Sequence, residues 1–181
     1  MREPLTAAKL QVFMKALAAS VSTPSRIYLV GGATAVLLGW RISTIDIDLK
    51  IIPESDEILR SLPELKERLR LNVELASPDD FIPELPGWQE RSRFIQQEGK
   101  LAFYHYDFYA QALAKIERGH QIDSDDVSQL IASGLVEPQR LRELFLMIED
   151  QIYLHPSLDQ STFRQAVERV TGTNNDSVDE S

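Results

Sequence analysis

The sequence predicts an α+β fold that ends in a helical part. Three observations carry that expectation. Strand-like runs alternate with helical stripes up to about residue 106. From Asp107 onward the pattern is helical only. The composition, 43% apolar and 26% charged over 181 residues, is that of an ordinary globular chain long enough to bury a core without staples. A wholly disordered or collagen-like chain is excluded. The absence of cysteine excludes disulfides, thiolate metal sites and cysteine nucleophiles.

The first helix is expected over 7–19, capped by Thr6, with Leu10, Phe13, Met14 and Leu17 at helical spacing. Ser22-Thr23-Pro24-Ser25 breaks it. Arg26–Val30 is a short buried strand that runs into Gly31-Gly32, and 33–38 is a short helix closed by Gly39. TIDIDLKI, 44–51, alternates polar and apolar and predicts a strand with one wet face. Residues 56–69 carry an apolar helical stripe of Ile58, Leu59, Leu62, Leu65 and Leu69, and Pro63 is expected to split this helix in two. LNVEL, 71–75, is a third strand. Pro78, Pro83 and Pro86 mark an irregular connection, and Phe94-Ile95 with 101–106 form a hairpin across Glu98-Gly99-Lys100. A helix follows with Phe108, Ala112, Leu113 and Ile116 on one face. Asp123 is expected to cap a helix over 126–132, and 137–153 and 161–170 are two further helices. The expected organisation is a 1–106 core, a 107–170 helical part and a 171–181 acidic disordered tail.

Lys and Arg number 19 against 28 Asp and Glu, a net charge of −9, so contact with nucleic acid needs a local basic patch. No apolar stretch approaches the roughly 18 residues of a membrane span, and no apolar region follows Met1-Arg2-Glu3-Pro4 as in a signal peptide. The expected location is the cytoplasm.

Asp46 and Asp48 leave the same face of their strand. At about 7 Å and an effective dielectric near 20 they repel by roughly 2 kcal/mol. A bound cation offsets that cost, and hard oxygen ligands point to Mg²⁺ or Mn²⁺. Taken alone, the pair reads as an edge strand with two solvated aspartates. Gly31-Gly32 lets a phosphate approach the backbone at a helix start, or is an ordinary strand-to-helix turn. Neither Walker nor Rossmann glycine spacing occurs.

Together, LVGGATAVLLGWRISTIDIDLKI, residues 29–51, resembles the nucleotidyltransferase superfamily, the polymerase-β-like palm. The Arg-x-Ser-Thr-x-Asp-apolar-Asp-Leu portion is similar to AbiEii-type minimal nucleotidyltransferases of toxin–antitoxin and defence modules. The resemblance implies a nucleotidyltransferase-like mixed sheet flanked by helices. It implies that Gly31 and Gly32 hold a triphosphate, that Asp46 and Asp48 bind Mg²⁺ or Mn²⁺, and that Arg41, Ser43 or Thr44 meet phosphates. It implies a third metal-binding carboxylate on a neighbouring strand, for which Glu74 is the candidate, with Asn72 on the same face. It implies a helix lysine followed by an Asp-x-x-Asp pair, here Lys115 with Asp123 and Asp126. Read on their own, Lys115 is a solvated helix lysine and Asp123 an N-cap.

His105, His120 and His155 have no partner at ligand spacing. Tyr104, Tyr106 and Tyr109 form a cluster suited to packing or to stacking a base. The expected activity is transfer of a nucleoside monophosphate from an NTP to an RNA end, tRNA included, or to a protein hydroxyl. The alternative is an inactive nucleotidyltransferase-fold antitoxin or protein-binding partner. A cognate toxin or antitoxin is an expected partner, and a membrane is not.

Overall fold

The computed structural model describes residues 3–172. The expected disordered tail falls outside the described residues from 173 onward; Thr171 still belongs to a helix, which Gly172 caps. The chain forms two compact units. One holds the chain up to Ser77 together with Gln89–Asp107, and the other Pro78–Trp88 together with the chain from Phe108.

The first unit begins with β1 (Leu5–Thr6) and α1 (Ala7–Ala19). The hydroxyl of Thr6 accepts from the Lys9 N–H at 3.3 Å, satisfying one of the helix's unpaired donors. Strand β2 (Ser25–Val30) turns at Gly31 into α2 (Gly32–Leu38), which ends at Gly39 with a left-handed φ of +92°. The expected single strand over 44–51 is in fact two. Strand β3 (Ser43–Thr44) pairs antiparallel with β1, and β4 (Asp46–Ile52) begins after Ile45, which is 74% exposed. The break frees residues 43–44 to pair with the N-terminal segment while 46–52 joins the main sheet.

Helix α3 (Asp56–Leu69) runs unbroken through Pro63, contrary to the expected split. Pro63 is exposed, whereas Ile58, Leu62 and Leu65 are buried on both sides of it. The helix is held in line by the buried side chains on both sides of Pro63, which outweighs the backbone bond the ring removes. Strand β5 (Asn72–Leu75), all but the first residue of the short α4 (Trp88–Arg91), and the hairpin β6 (Arg93–Glu98) with β7 (Leu101–His105) complete the first unit; the 3₁₀ turn (Pro78–Asp80) belongs to the second.

The main sheet has the order β5-β4-β2-β7-β6. It is mixed: β2 runs antiparallel to β4 and parallel to β7, β4 parallel to β5, and β6 antiparallel to β7. One face carries Ile27, Leu29, Ile47, Leu49, Ile51, Val73, Leu101 and Phe103. These form one apolar core with Leu10, Phe13, Met14 and Leu17 of α1 and Ile58, Leu62 and Leu65 of α3. The other face carries the polar half of the β4 alternation.

The second unit contains α5 (Phe108–Arg118), α6 (Gln121–Ala132), α7 (Pro138–Ile148), a 3₁₀ segment (Glu149–Leu154) and α8 (Gln160–Thr171). Helix α6 starts at Gln121 rather than at Asp126, with His120 as its N-cap. Asp123 therefore lies inside the first turn, where its Oδ2 accepts from the His120 N–H at 3.2 Å. The helix expected over 137–153 stops at Ile148 and tightens into the 3₁₀ segment. The hydroxyl of Tyr109 accepts from the Glu137 N–H at 3.1 Å, so packing and a backbone bond account for this tyrosine.

Candidate active site

The Gly31-Gly32 turn and the carboxylates of β4 are neighbours because β2 and β4 pair antiparallel, with Val30 opposite Asp48. The turn leaves the end of β2 where β4 begins. Gly31 has φ +64° and ψ −126°, a region essentially closed to side-chain-bearing residues. A Cβ placed there would lie 3.4 Å from Asp48 Oδ2. Gly32 has a different reason to be glycine: its Cβ would lie 2.0 Å from Thr44 Oγ1. The side chain of Thr44 thus fills the space beside the turn, so Gly31, Gly32, Thr44 and Asp48 stand together.

Asp46 and Asp48 are partly buried and alternate with buried Ile47 and Leu49, so both carboxylates share the face opposite the apolar core. The parallel neighbour β5 sets Asn72 opposite Asp46 and Glu74 opposite Asp48. The side-chain amide of Asn72 donates to Asp46 Oδ1 and, at 3.2 Å, to Glu74 Oε1. One neutral amide therefore holds carboxylates from two strands and lowers their mutual repulsion. Among the described residues no group of three or more His, Asp or Glu side chains is gathered closely enough to hold one ion. The donor set still has the chemistry of a hard-cation site. It has two carboxylates on one face and a third in register on the next strand, with no thiolate or imidazole among them. The next residue on the face, Lys50, is partly buried and lies opposite Tyr28.

Beneath the turn, the Thr34 hydroxyl donates to the Leu29 carbonyl at 3.3 Å and lies 3.0 Å from His105 Nδ1. One hydroxyl proton serves both neighbours only if Nδ1–H is the donor to Thr34. Burial pushes the His105 imidazole down to about 4, and the charge of Arg93 pushes the same way. This pair, 71 residues apart in sequence, has no local signal beyond the alternation that puts His105 on the core side of β7 with Leu101 and Phe103. Tyr106, the residue after β7, donates its N–H to the Leu29 carbonyl at 2.9 Å. Asp107, 1% exposed, accepts two bonds from the Arg91 guanidinium at 3.0 and 2.7 Å.

Arg41 lies just past α2, where its N–H meets the Ala35 carbonyl at 3.4 Å, and Ser43 lies in β3 opposite Thr6. Lys115 belongs to the helical unit. Its ammonium lies 2.7 Å from Asp126 Oδ2 and 3.8 Å from Asp123 Oδ1, and both aspartates are buried. Arg118 makes two further bonds to Asp123 at 2.8 and 2.6 Å. Burial opposes the charge of Asp123, but the Arg118 hydrogen bonds and charge, the Lys115 charge and the His120 N–H together hold its carboxyl below the usual range. The helix lysine and the Asp-x-x-Asp pair are therefore brought together, as one ion-pair cluster.

A mixed sheet with helices on its apolar face, a glycine turn and a carboxylate pair beside it is the framework of a nucleotidyl-transferring class of protein. The family model described as a nucleotidyltransferase of unknown function (DUF6036) matches residues 8–171, and the chain belongs to this family. No curated protein and no solved structure matches it.

Proposed function

We propose that the protein is a metal-dependent nucleotidyltransferase that moves a nucleoside monophosphate from an NTP to a hydroxyl of an RNA end or a protein. The observation that carries the reading is the closeness of turn and carboxylate: a Cβ on Gly31 would lie 3.4 Å from Asp48 Oδ2. A phosphate resting on the glycine turn thus lies beside the acids that handle its charge. Gly31 and Gly32 let the triphosphate reach the backbone, and Arg41, Ser43 and Thr44 steady its oxygens. Asp46, Asp48 and Glu74 are the residues that would hold Mg²⁺ or Mn²⁺. When bound, such ions neutralise charge on the attacking and leaving oxygens of an in-line displacement. The acceptor oxygen bonds to the α-phosphorus, the bond to the β-bridging oxygen breaks, and pyrophosphate leaves. The acceptor proton passes to a carboxylate of this set, with Glu74 the most exposed of the three. Asn72 positions Asp46 and Glu74 for these roles. Lys115, committed to Asp126 and Asp123, is assigned to holding the helical unit together rather than to phosphate.

The likeness of residues 29–51 to AbiEii-type proteins supports a place in a toxin–antitoxin or defence module, which a toxin or antitoxin gene beside this one tests. The catalytic test is transfer of label from α-labelled NTPs to total tRNA or to a co-expressed protein. Replacing both Asp46 and Asp48 by Ala is expected to lower transfer at least a thousandfold while the thermal melt stays cooperative. Undiminished transfer by that variant overturns the assignment. Mg²⁺-dependent NTP binding with no transfer to either acceptor means a binding protein on the same fold.

A further inference from the structure

Asn72 sits between two carboxylates that come from different strands. Asp46 lies opposite it on β4, and Glu74 stands two residues along β5 on the same face. The two carboxylates are therefore diagonal neighbours across the β4–β5 pair, with the Asn72 side chain between them. A single atom, Nδ2, carries both contacts. One of its hydrogens goes to Asp46 Oδ1 and the other to Glu74 Oε1, at 3.2 Å. Asp48, opposite Glu74, instead has its Oδ2 beside the glycine turn.

The amide answers the need that a cation would answer. Carboxylates brought together by strand pairing repel, and a donor placed between them offsets that cost. A lysine or arginine at position 72 would neutralise the pair permanently. A neutral amide offers two bonds from partial charges, and the full charge of a divalent ion exceeds them.

Space makes the two alternatives exclusive. A Mg²⁺ ion shared by Asp46 and Glu74 has to come within about 2.1 Å of an oxygen of each. The space between Asp46 Oδ1 and Glu74 Oε1 belongs to Nδ2, whose two hydrogens turn positive charge toward any incoming cation. Asp46 and Asn72 are partly buried and Glu74 is exposed, so solvent reaches the cluster.

We infer that Asn72 is a built-in stand-in for the metal ion: its amide bridges Asp46 and Glu74 in the ion-free protein and swings out before the two share an ion. This rests on the transferase reading and deepens it. Loading of the site becomes an exchange between an amide-bridged and an ion-bridged carboxylate pair. Asn72 is then a positioning residue that lowers cation affinity, the reverse of what a ligand does.

Mn²⁺ binding to the full chain, measured by calorimetry without NTP or acceptor, tests this apart from transfer. Asn72→Ala is expected to bind Mn²⁺ about tenfold or more tightly than wild type, because no charge-assisted bonds have to break first. The same variant should melt lower than wild type in EDTA, where the repulsion between Asp46 and Glu74 is left bare. An asparagine with a purely structural role would give the lower melt and no gain in affinity. In a Glu74→Gln background the gain from Asn72→Ala should shrink severalfold, since the ion-bridged pair no longer exists. A measurement on the unaltered chain does not depend on how the variants fold. The side-chain NH₂ resonances of Asn72, assigned from the backbone of β5, should move to free-amide positions as Mg²⁺ is added. Unchanged or weaker Mn²⁺ binding in Asn72→Ala overturns the inference, as do NH₂ resonances that ignore saturating Mg²⁺. No Mn²⁺ binding by either chain overturns it together with the metal-dependent reading. Tighter binding in Asn72→Ala, with no transfer to any acceptor by the wild type, would keep the stand-in and sink the transferase reading.

Discussion

Gly32 is glycine because of a neighbour, not because of its own backbone. Its φ is not in the left-handed region, so by propensity alone Gly32→Ala at the start of α2 would stabilise the helix by up to about 1 kcal/mol. The 2.0 Å approach of Thr44 Oγ1 to the added methyl reverses the sign. Gly32→Ala is expected to cost about 2 kcal/mol in urea unfolding, and Thr44→Gly in the same chain should recover part of that loss. Additive losses would show that the two positions do not press on each other. Gly31 differs, because its positive φ and its place beside Asp48 constrain it separately. The sequence makes both glycines visible as a turn between a strand and a helix. It cannot show that one is required by a threonine twelve residues on, since that depends on how β3 folds back over the turn. Asn72 is a similar case. Alternation places it on the same face as Glu74, but its bond to Asp46 exists only once β4 and β5 are in register.

Helix α2 and strand β7 are joined under the turn by Thr34 and His105, and this link makes the first unit sensitive to acid. In the unfolded chain His105 titrates near 6.5, and in the folded chain near 4. Between those values the unfolded state holds a proton that the native state refuses. Stability from this group is therefore complete above pH 6.5, falls as the pH drops through the window, and levels off below about 4. The full loss is about 3 kcal/mol. Urea unfolding of wild type and His105→Gln at pH 7.5 and 4.5 checks this, with the variant expected to lose markedly less on acidification. Equal losses would place the acid sensitivity elsewhere. At this scale the sequence is informative wherever an element's signal is local. The caps of α1 and α2, the stripe of α3 and the alternation of β4, β5 and the hairpin are all readable from periodicity. What escapes is what neighbouring elements impose. Pro63 is tolerated because the core holds both halves of α3 in line, and the strand breaks at Ile45 because β1 pairs with residues 43–44.

For the molecule as a whole, the metal–nucleotide reading has a thermodynamic counterpart. A ligand that binds only the folded chain raises its stability by mass action, about 2.7 kcal/mol at a hundredfold excess over Kd. Mg²⁺ with the preferred NTP is expected to raise Tm, EDTA to abolish the shift, and Asp46→Asn/Asp48→Asn to remove it without lowering the starting Tm. Removing the two charges relieves their mutual repulsion, and an Asn carbonyl at 46 can still accept the Asn72 amide. A shift that survives in the variant would move nucleotide binding to another part of the chain. The glycine turn and the aspartate pair are legible because the chain delivers them within residues 29–51, so composition and spacing suffice. The buried Asp107–Arg91 bond and the Lys115 cluster are not, because sequence spacing does not tell a paired charge from a solvated one.

The short ribbon of β1 and β3 couples the start of the described chain to the Gly31-Gly32 turn. Thr6 caps α1 and also pairs with Ser43, while Leu5 pairs with Thr44, the residue that presses on Gly32. A pull, cleavage or fusion immediately upstream of Leu5 would thus be transmitted through two rungs of backbone to the Gly31-Gly32 turn. On the transferase reading, a handle or factor attached to the leading segment would alter transfer without touching Asp46 or Asp48.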